Sequence, residues 1–228
     1  MNPQKFPNLL VVLTALLALM LPLSGWAQFT YTTNNGAVTI PRYSGSGGQV
    51  TIPSATNGYP VTAITANAFL FKYNMTGVTI PESVISIGTG AFEYCMSLHQ
   101  AFFKGNAPSV DGEAGSADST VFDSDGTGQA YYVPGTTGWG ATFGGWPTAQ
   151  WYQPNPQILG SGNSLGAGSQ GFQFTISWAT NTSVVVEAST NLQDWTPVST
   201  NTLVNGTSAF VDSTWTNYPQ RFYRLRSQ

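Results

Sequence analysis

The side chains most often recruited for catalysis are scarce in this chain. One histidine, His99, and one cysteine, Cys95, stand among 228 residues. A tetrahedral zinc site, or a Cys/His or Ser/His/Asp centre, would have to draw on those two positions. Carboxylates are more numerous, ten in all, and five of them (Asp111, Glu113, Asp118, Asp123 and Asp125) crowd into 106–128. Asp123-Ser124-Asp125-Gly126 has the opening of a calcium-binding loop, but counting from Asp123 brings Gly128 to the sixth position and Pro134 to the twelfth, where a bidentate carboxylate is required. No metal site is expected. Glycoside hydrolysis needs two carboxylates about 5 Å or about 6.5–9.5 Å apart across a cleft, so Glu82 and Glu93 would have to share a buried pocket. The expectation is a protein with no catalytic residues and no cofactor.

Aromatic rings are the more promising chemistry. Residues 131–152 hold Tyr131, Tyr132, Trp139, Phe143, Trp146, Trp151 and Tyr152, seven aromatics in 22 positions. Rigid amphipathic rings can form a stacking platform for sugars, which makes Trp139, Trp146 and Trp151 candidate ligand contacts if they lie coplanar and face solvent. The competing expectation is that Tyr131-Tyr132-Val133-Pro134 forms a final strand and Trp139 to Trp151 folds over the open end as a cap.

Composition narrows the partners. Only 7% of residues are charged against 41% hydrophobic, and the formal charge is −3 with a pI near 4.8. Such a chain can bury a core, and it carries the wrong sign for a nucleic-acid partner. Leu9 to Leu23 is apolar apart from Thr14 and Pro22, follows the single basic residue Lys5, and leads into Gly25-Trp26-Ala27. Fifteen residues fall short of the ~20 that cross a bilayer as a helix, so 1–27 is expected to be an export signal cleaved after Ala27, with no membrane span afterwards. The mature chain is expected to be secreted or held at the cell surface. There a lone thiol is best buried, as a small hydrophobe.

The elements that must position the candidate residues show in the repeats. Val-Thr-Ile-Pro occurs at 38–41, 50–53 and 78–81. A second series is spaced by 23 residues: Val61 with Val84, Ile64 with Ile87, Ala68-Phe69 with Ala91-Phe92, Met75 with Leu98, Val78 with Ala101 and Ile80 with Phe103. The longer gap between the last two Val-Thr-Ile-Pro copies is assigned to an insertion over 54–60. A period of 20–29 residues with fixed apolar positions is that of a leucine-rich-repeat solenoid, one short strand per coil. In Met75-x-x-Val78-x-Ile80 the apolar residues face inward and Thr79 outward, as a two-residue period requires. Two coils alone recover too little burial to offset the entropy of ordering them, so Phe29–Ile40 and the segment beyond Lys104 are expected to close the stack.

The unit Val78-Thr79-Ile80-Pro81-Glu82-Ser83-Val84-Ile85-Ser86-Ile87-Gly88-Thr89-Gly90-Ala91-Phe92-Glu93-Tyr94-Cys95-Met96-Ser97-Leu98 resembles the repeat of BspA-like leucine-rich-repeat proteins, which are secreted or surface-attached bacterial proteins. The preceding unit departs from it at Thr65 and Lys72, where the later unit has Gly and Cys. The resemblance covers about 29–104, and Pro134 to Trp139 looks like a terminal feature of the same family. It implies extracellular binding or adhesion.

The expected organisation is mainly β. A repeat region with an N-terminal cap spans 28–104, an acidic loop and aromatic cap 105–152, a Pro/Gly/Ser/Asn-rich linker 153–171, and a small antiparallel sandwich or barrel 172–228. In the last module Phe172, Phe174, Ile176 and Trp178 alternate with polar residues, and Asn205-Gly206 signals a hairpin. Arg221, Arg224 and Arg226 read as a solvated edge strand that resists further pairing. Function is expected on the exposed repeat face, at Thr79, Gln100, Phe102 and Lys104, binding an extracellular protein or glycan. A carbohydrate-binding role for 131–152 and a purely structural scaffold are the alternatives.

Overall fold

The structure, a computed structural model, describes residues 28–115, 117–160 and 165–228; the expected export signal at 1–27 lies outside them. The protein is mainly β: the regular structure of the described residues is strand, apart from a single 3-10 turn at Trp215–Asn217.

The N-terminal portion is a solenoid with two walls. Its lead-in is a hairpin of Phe29–Asn34 on Ala37–Tyr43, turned at Asn35-Gly36, where both residues take the positive φ that a two-residue hairpin turn needs. Parallel strands Ala37–Tyr43, Tyr59–Ile64, Ser86–Ile87 and Ser109–Val110 then form the first wall. Gly48–Thr51, Met75–Ile80, Gln100–Phe103, Gln129–Tyr132 and Trp146–Gln150 form the second, also parallel throughout. Thr142–Phe143 folds back antiparallel on Trp146–Gln150 to end the second wall. Met75, Val78 and Ile80 are buried while Thr79 between the last two is half-exposed.

Between the walls runs a column of rings. Tyr43, Phe69, Phe92, Phe122 and Trp146 stack in order, with centroid separations of 5.0, 4.6, 5.5 and 4.0 Å. Offset stacking of this kind adds roughly 0.5–1.5 kcal/mol per pair beyond area burial. Backbone bonds tie the coils at the same level: Phe69 N–H to Ala91 O, and Phe92 N–H to Val121 O. The approach is closest at Gly88, where a Cβ would come within 2.1 Å of Ala66 N.

Three features differ from the sequence expectations. Of the three Val-Thr-Ile-Pro copies, 50–53 and 78–81 are true equivalents, with Val50 beside Val78, whereas Val38 and Ile40 belong to the first wall. The acidic segment is largely exposed, but it is more than a surface loop. It supplies Val110, Val121 and Phe122 to the core as a further coil, because Phe122 continues the ring column and Val110 pairs beside Ile87. The aromatic segment holds, besides the strand at Gln129–Tyr132 where one is expected, a further second-wall strand, Trp146–Gln150, within the stretch expected as a cap. The insertion at 54–60 is a small hairpin, Ala55–Thr56 on Tyr59–Pro60, turned at Asn57-Gly58.

The C-terminal module packs two antiparallel sheets. Gly171–Ser177 is flanked on one side by Gln157–Leu159 and Gly166–Gly168 and on the other by Thr207–Asp212. Ser183–Ser189 lies between Thr196–Thr202 and Phe222–Ser227. Phe174, Ile176, Val184, Val186, Leu203 and Phe210 make the core. The stretch expected as a linker therefore contributes two strands: Ile158 pairs beside Ile176 and packs on the module core. The module also seats directly on the solenoid. Ser177 Oγ donates to Pro134 O at 2.6 Å, Trp178 Nε1 donates to Gln153 O at 2.8 Å, and Gly206 lies against Pro134.

Candidate functional site

Parallel pairing in register stacks equivalent residues of successive coils, so the outward positions of the second wall form rows. One row is Gln49, Gly77, Gln100, Gln129. Gln49 lies over Gly77, where any Cβ would collide with its amide. The next row is Thr51, Thr79, Phe102, Tyr131, Ala149. Phe102 and Tyr131 stack at 5.1 Å with planes 14° apart. Trp151 follows the last strand, is tied down by its N–H to Tyr132 O, and brings its ring to 4.7 Å from Phe102. All three rings are half-exposed. The result is an uncharged face with amides and hydroxyls at one end and three clustered rings at the other, Trp151 tilted 48° to Phe102.

Of the sequence candidates, Thr79, Gln100, Phe102 and Trp151 come together on this face. Lys104 stands apart, exposed beside Glu82 and Gln153 in a small cavity where the C-terminal module meets the solenoid. Trp139 and Trp146 do not join. Trp146 is only 3% exposed and stacks on Phe122, so it offers no face to a ligand. Trp139 lies parallel to Tyr132 and edge-on to Phe103, with its Nε1 donating to Thr136 Oγ1. A platform of three coplanar tryptophans is thus not formed, because Trp146 is buried in the core and Trp139, half-buried, packs against it. Gln129 is the member of the face that sequence reasoning passes over, and Tyr131 is one that it places in the aromatic segment and not on the repeat face. The signal for them was the Gln-Ala-x-x pattern shared by Gln100-Ala101-Phe102-Phe103 and Gln129-Ala130-Tyr131-Tyr132.

The titratable groups offer little reaction chemistry. Burial pushes the Cys95 thiol up to about 12, and its Sγ contacts Phe69 O at 3.1 Å; a thiol so held is a poor nucleophile. Asp125 is 2% exposed. Burial raises its carboxyl to about 7, opposed by the bond from Cys95 N–H and reinforced by the charges of Asp123 and Glu93. Glu82 is exposed and Glu93 half-buried, and they stand at different places: Glu82 at the module junction, Glu93 beside Asn67 over Gly90. Among the described residues no three His, Cys, Asp or Glu side chains are grouped so as to hold a metal ion, and no helix is long and apolar enough to cross a membrane. In the C-terminal module the arginines are answered by acids: Arg221 pairs with Asp212 at 3.1 Å, and Arg224 and Arg226 grip Glu187 at 2.7 and 3.1 Å. The two bonds to Glu187 hold its carboxyl below the usual range.

No family model matches the chain, and no curated protein matches it. Among solved structures it is similar to a leucine-rich repeat protein from Bacteroides capillosus, at 26% identity over 54% of this chain and 94% of that one, TM-score 0.37. It is also similar to the T. pallidum leucine-rich repeat protein, at 28% identity over 35% of this chain and 42% of that one, TM-score 0.33. A third is a leucine-rich cell surface protein from Faecalibacterium prausnitzii, at 35% identity over 33% of this chain and 22% of that one, TM-score 0.32. The chain thus spans less than half the length of the latter two.

Proposed function

We propose that this is an extracellular, non-catalytic recognition protein that binds a protein partner through the outward face of the second wall, with Phe102, Tyr131 and Trp151 as the anchoring contacts. The observation that carries the proposal is the convergence of those three rings from separate coils onto one outward face. Half-exposed rings bordered by hydrogen-bonding groups have the composition of a protein-binding hot spot, where aromatic residues dominate and charged residues are depleted. Gln100, Gln129 and Thr79 supply the polar rim. Small ligands bind in concave sites, whereas these rings stand on the outward side of a sheet, which favours a protein.

The test is an array of extracellular and cell-surface proteins, printed beside glycans and probed with the mature protein and with Phe102→Ser, Tyr131→Ser and Trp151→Ser variants whose melting curves match the parent. A protein hit that loses about tenfold or more in affinity with each variant, and that changes little with added salt, supports the reading. A hit indifferent to all three variants, or binding confined to the glycans, overturns it.

A further inference from the structure

The edge of the solenoid away from the second-wall face carries a site of different chemistry. An open cleft of about 370 Å³ is lined by Pro41, Arg42, Asn67, Leu70, Phe71 and Lys72, among others, which places it at the small end of ligand sites. Six described residues are Lys or Arg, and two of them meet here. Among the described residues neither Arg42 nor Lys72 has an acidic partner within ion-pair distance, in contrast to the three arginines of the C-terminal module. Lys72 Nζ sits 5.8 Å over the Tyr43 ring, which attracts the cation without neutralising it. Glu93, on the next coil, lies beside Asn67 Oδ1.

The rim of the cleft is aromatic at a backbone cost. Phe71 and Tyr94 occupy equivalent turns of successive coils, at φ +61° and +58°, a region that bulky side chains rarely adopt. Ladder bonds hold them there: Phe71 N–H to Glu93 O and Tyr94 N–H to Asp123 O. Elsewhere among the described residues most such non-glycine positions hold Asn, as at Asn35, Asn57, Asn67, Asn181 and Asn205, with Asp111, Ser124 and Leu192 as the others. The rings nonetheless point outward. Phe71 is 50% exposed and Tyr73 53%, and Phe71 lies 5.2 Å from Tyr94 and 5.9 Å from Tyr73. Phe71 is exposed and Tyr94 half-buried, so burial in the core does not explain a ring at the Phe71 turn.

We propose that this cleft binds a uronic-acid residue of an acidic polysaccharide. The sugar carboxylate meets Arg42 and Lys72, a ring hydrogen face meets the Phe71 and Tyr94 rim, and hydroxyls meet Asn67 and Glu93. Two unpaired cations in a chain of net negative charge select an anion, and the aromatic rim beside them selects a pyranose over an inorganic ion. The cleft is separate from Phe102, Tyr131 and Trp151, so it stands whether or not the strand face binds a protein.

The test titrates the full-length mature protein with galacturonic acid oligomers, neutral galactose oligomers of the same length and an acidic peptide. Two double variants are compared, Arg42→Ser with Lys72→Ser and Phe71→Asn with Tyr94→Asn, each with its melting temperature. The expected result is salt-sensitive binding of the galacturonate alone, weakened about tenfold or more by either double variant. The Asn variant should melt no lower than the parent, since Asn tolerates the left-handed backbone. Equal binding of the galactose oligomer or of the acidic peptide, no binding of galacturonate, or binding that survives both double variants overturns the proposal. So does loss of galacturonate binding in Phe102→Ser, which would place the sugar on the strand face.

Discussion

Replacing Asp125 with Asn should change how stability depends on pH more than it changes stability itself. Asp125 is buried in the solenoid with its Oδ1 accepting Cys95 N–H at 2.5 Å, while its Oδ2 has no hydrogen-bond partner among the described residues. Burial, reinforced by the charges of Asp123 and Glu93, raises its carboxyl to about 7 from the ordinary 3.8. Between those values the folded protein holds a proton that the unfolded chain releases. The group's contribution to stability is therefore fully present below about pH 4 and is lost as pH rises to about 7, after which it changes no further. A shift of roughly three units at ~1.4 kcal/mol each amounts to about 4 kcal/mol across that window. Asp125→Asn keeps an acceptor for Cys95 N–H and removes the ionisation. The assay is urea unfolding followed by tryptophan fluorescence from pH 4 to pH 8.5 for both proteins. Because other groups titrate equally in both, the difference between the two curves isolates Asp125, and it should shift in favour of the variant by roughly 4 kcal/mol as pH rises. Parallel profiles would refute the assignment of a protonated, buried carboxyl at this position.

Two further outcomes follow from packing. Phe92→Ala removes the middle ring of the column, fully buried between Phe69 and Phe122, and should cost about 3–5 kcal/mol in urea unfolding; a loss below about 1 kcal/mol would mean that the column does not hold the coils together. Gly206→Ala and Gly58→Ala both place a methyl group at positive φ, +79° and +81°, but the first would meet Pro134 Cβ at 2.8 Å and Trp178 O at 2.9 Å while the second meets nothing within 4 Å. Gly58→Ala should cost about 1–2 kcal/mol and Gly206→Ala visibly more, read from melting of the whole protein; equal costs would show that the two modules do not bear on each other through this turn.

What could be read in the residues themselves was the part of the solenoid whose spacing is strict. Between 61 and 103 each inward apolar residue recurs after 23 positions, and one coil could be laid on the next without coordinates. Beyond Lys104 the same architecture continues in a different alphabet. Ala130 and Thr148 stand where Val78 stands, Tyr132 stands where Ile80 stands, Trp146 replaces a phenylalanine in the ring column, and Pro147 interrupts the last strand. The intervening turn is long and rich in acids, which is the composition of a surface loop. The burial of Val121 and Phe122 could be found only by following the column from Phe92. The candidate face was half legible for a related reason. Thr79, Gln100 and Phe102 follow from alternation within a strand, but their union with Tyr131 and Trp151 depends on register between strands about 30 and 50 residues apart, which alternation does not encode.

The ring column has a consequence for how such a chain can change size. Phe69, Phe92, Phe122 and Trp146 are 23, 30 and 24 residues apart and yet each stacks on the next, at 4.6, 5.5 and 4.0 Å. Only the phase at which each circuit returns is fixed; the excursion between returns is free to lengthen or shorten. Duplicating one whole circuit, such as 81–103, would add a rung and widen the outer face by one strand without disturbing its neighbours, since each rung touches only those above and below it. Growth by whole rungs is thereby open to this architecture, whereas inserting a few residues inside a strand would throw every later ring out of line.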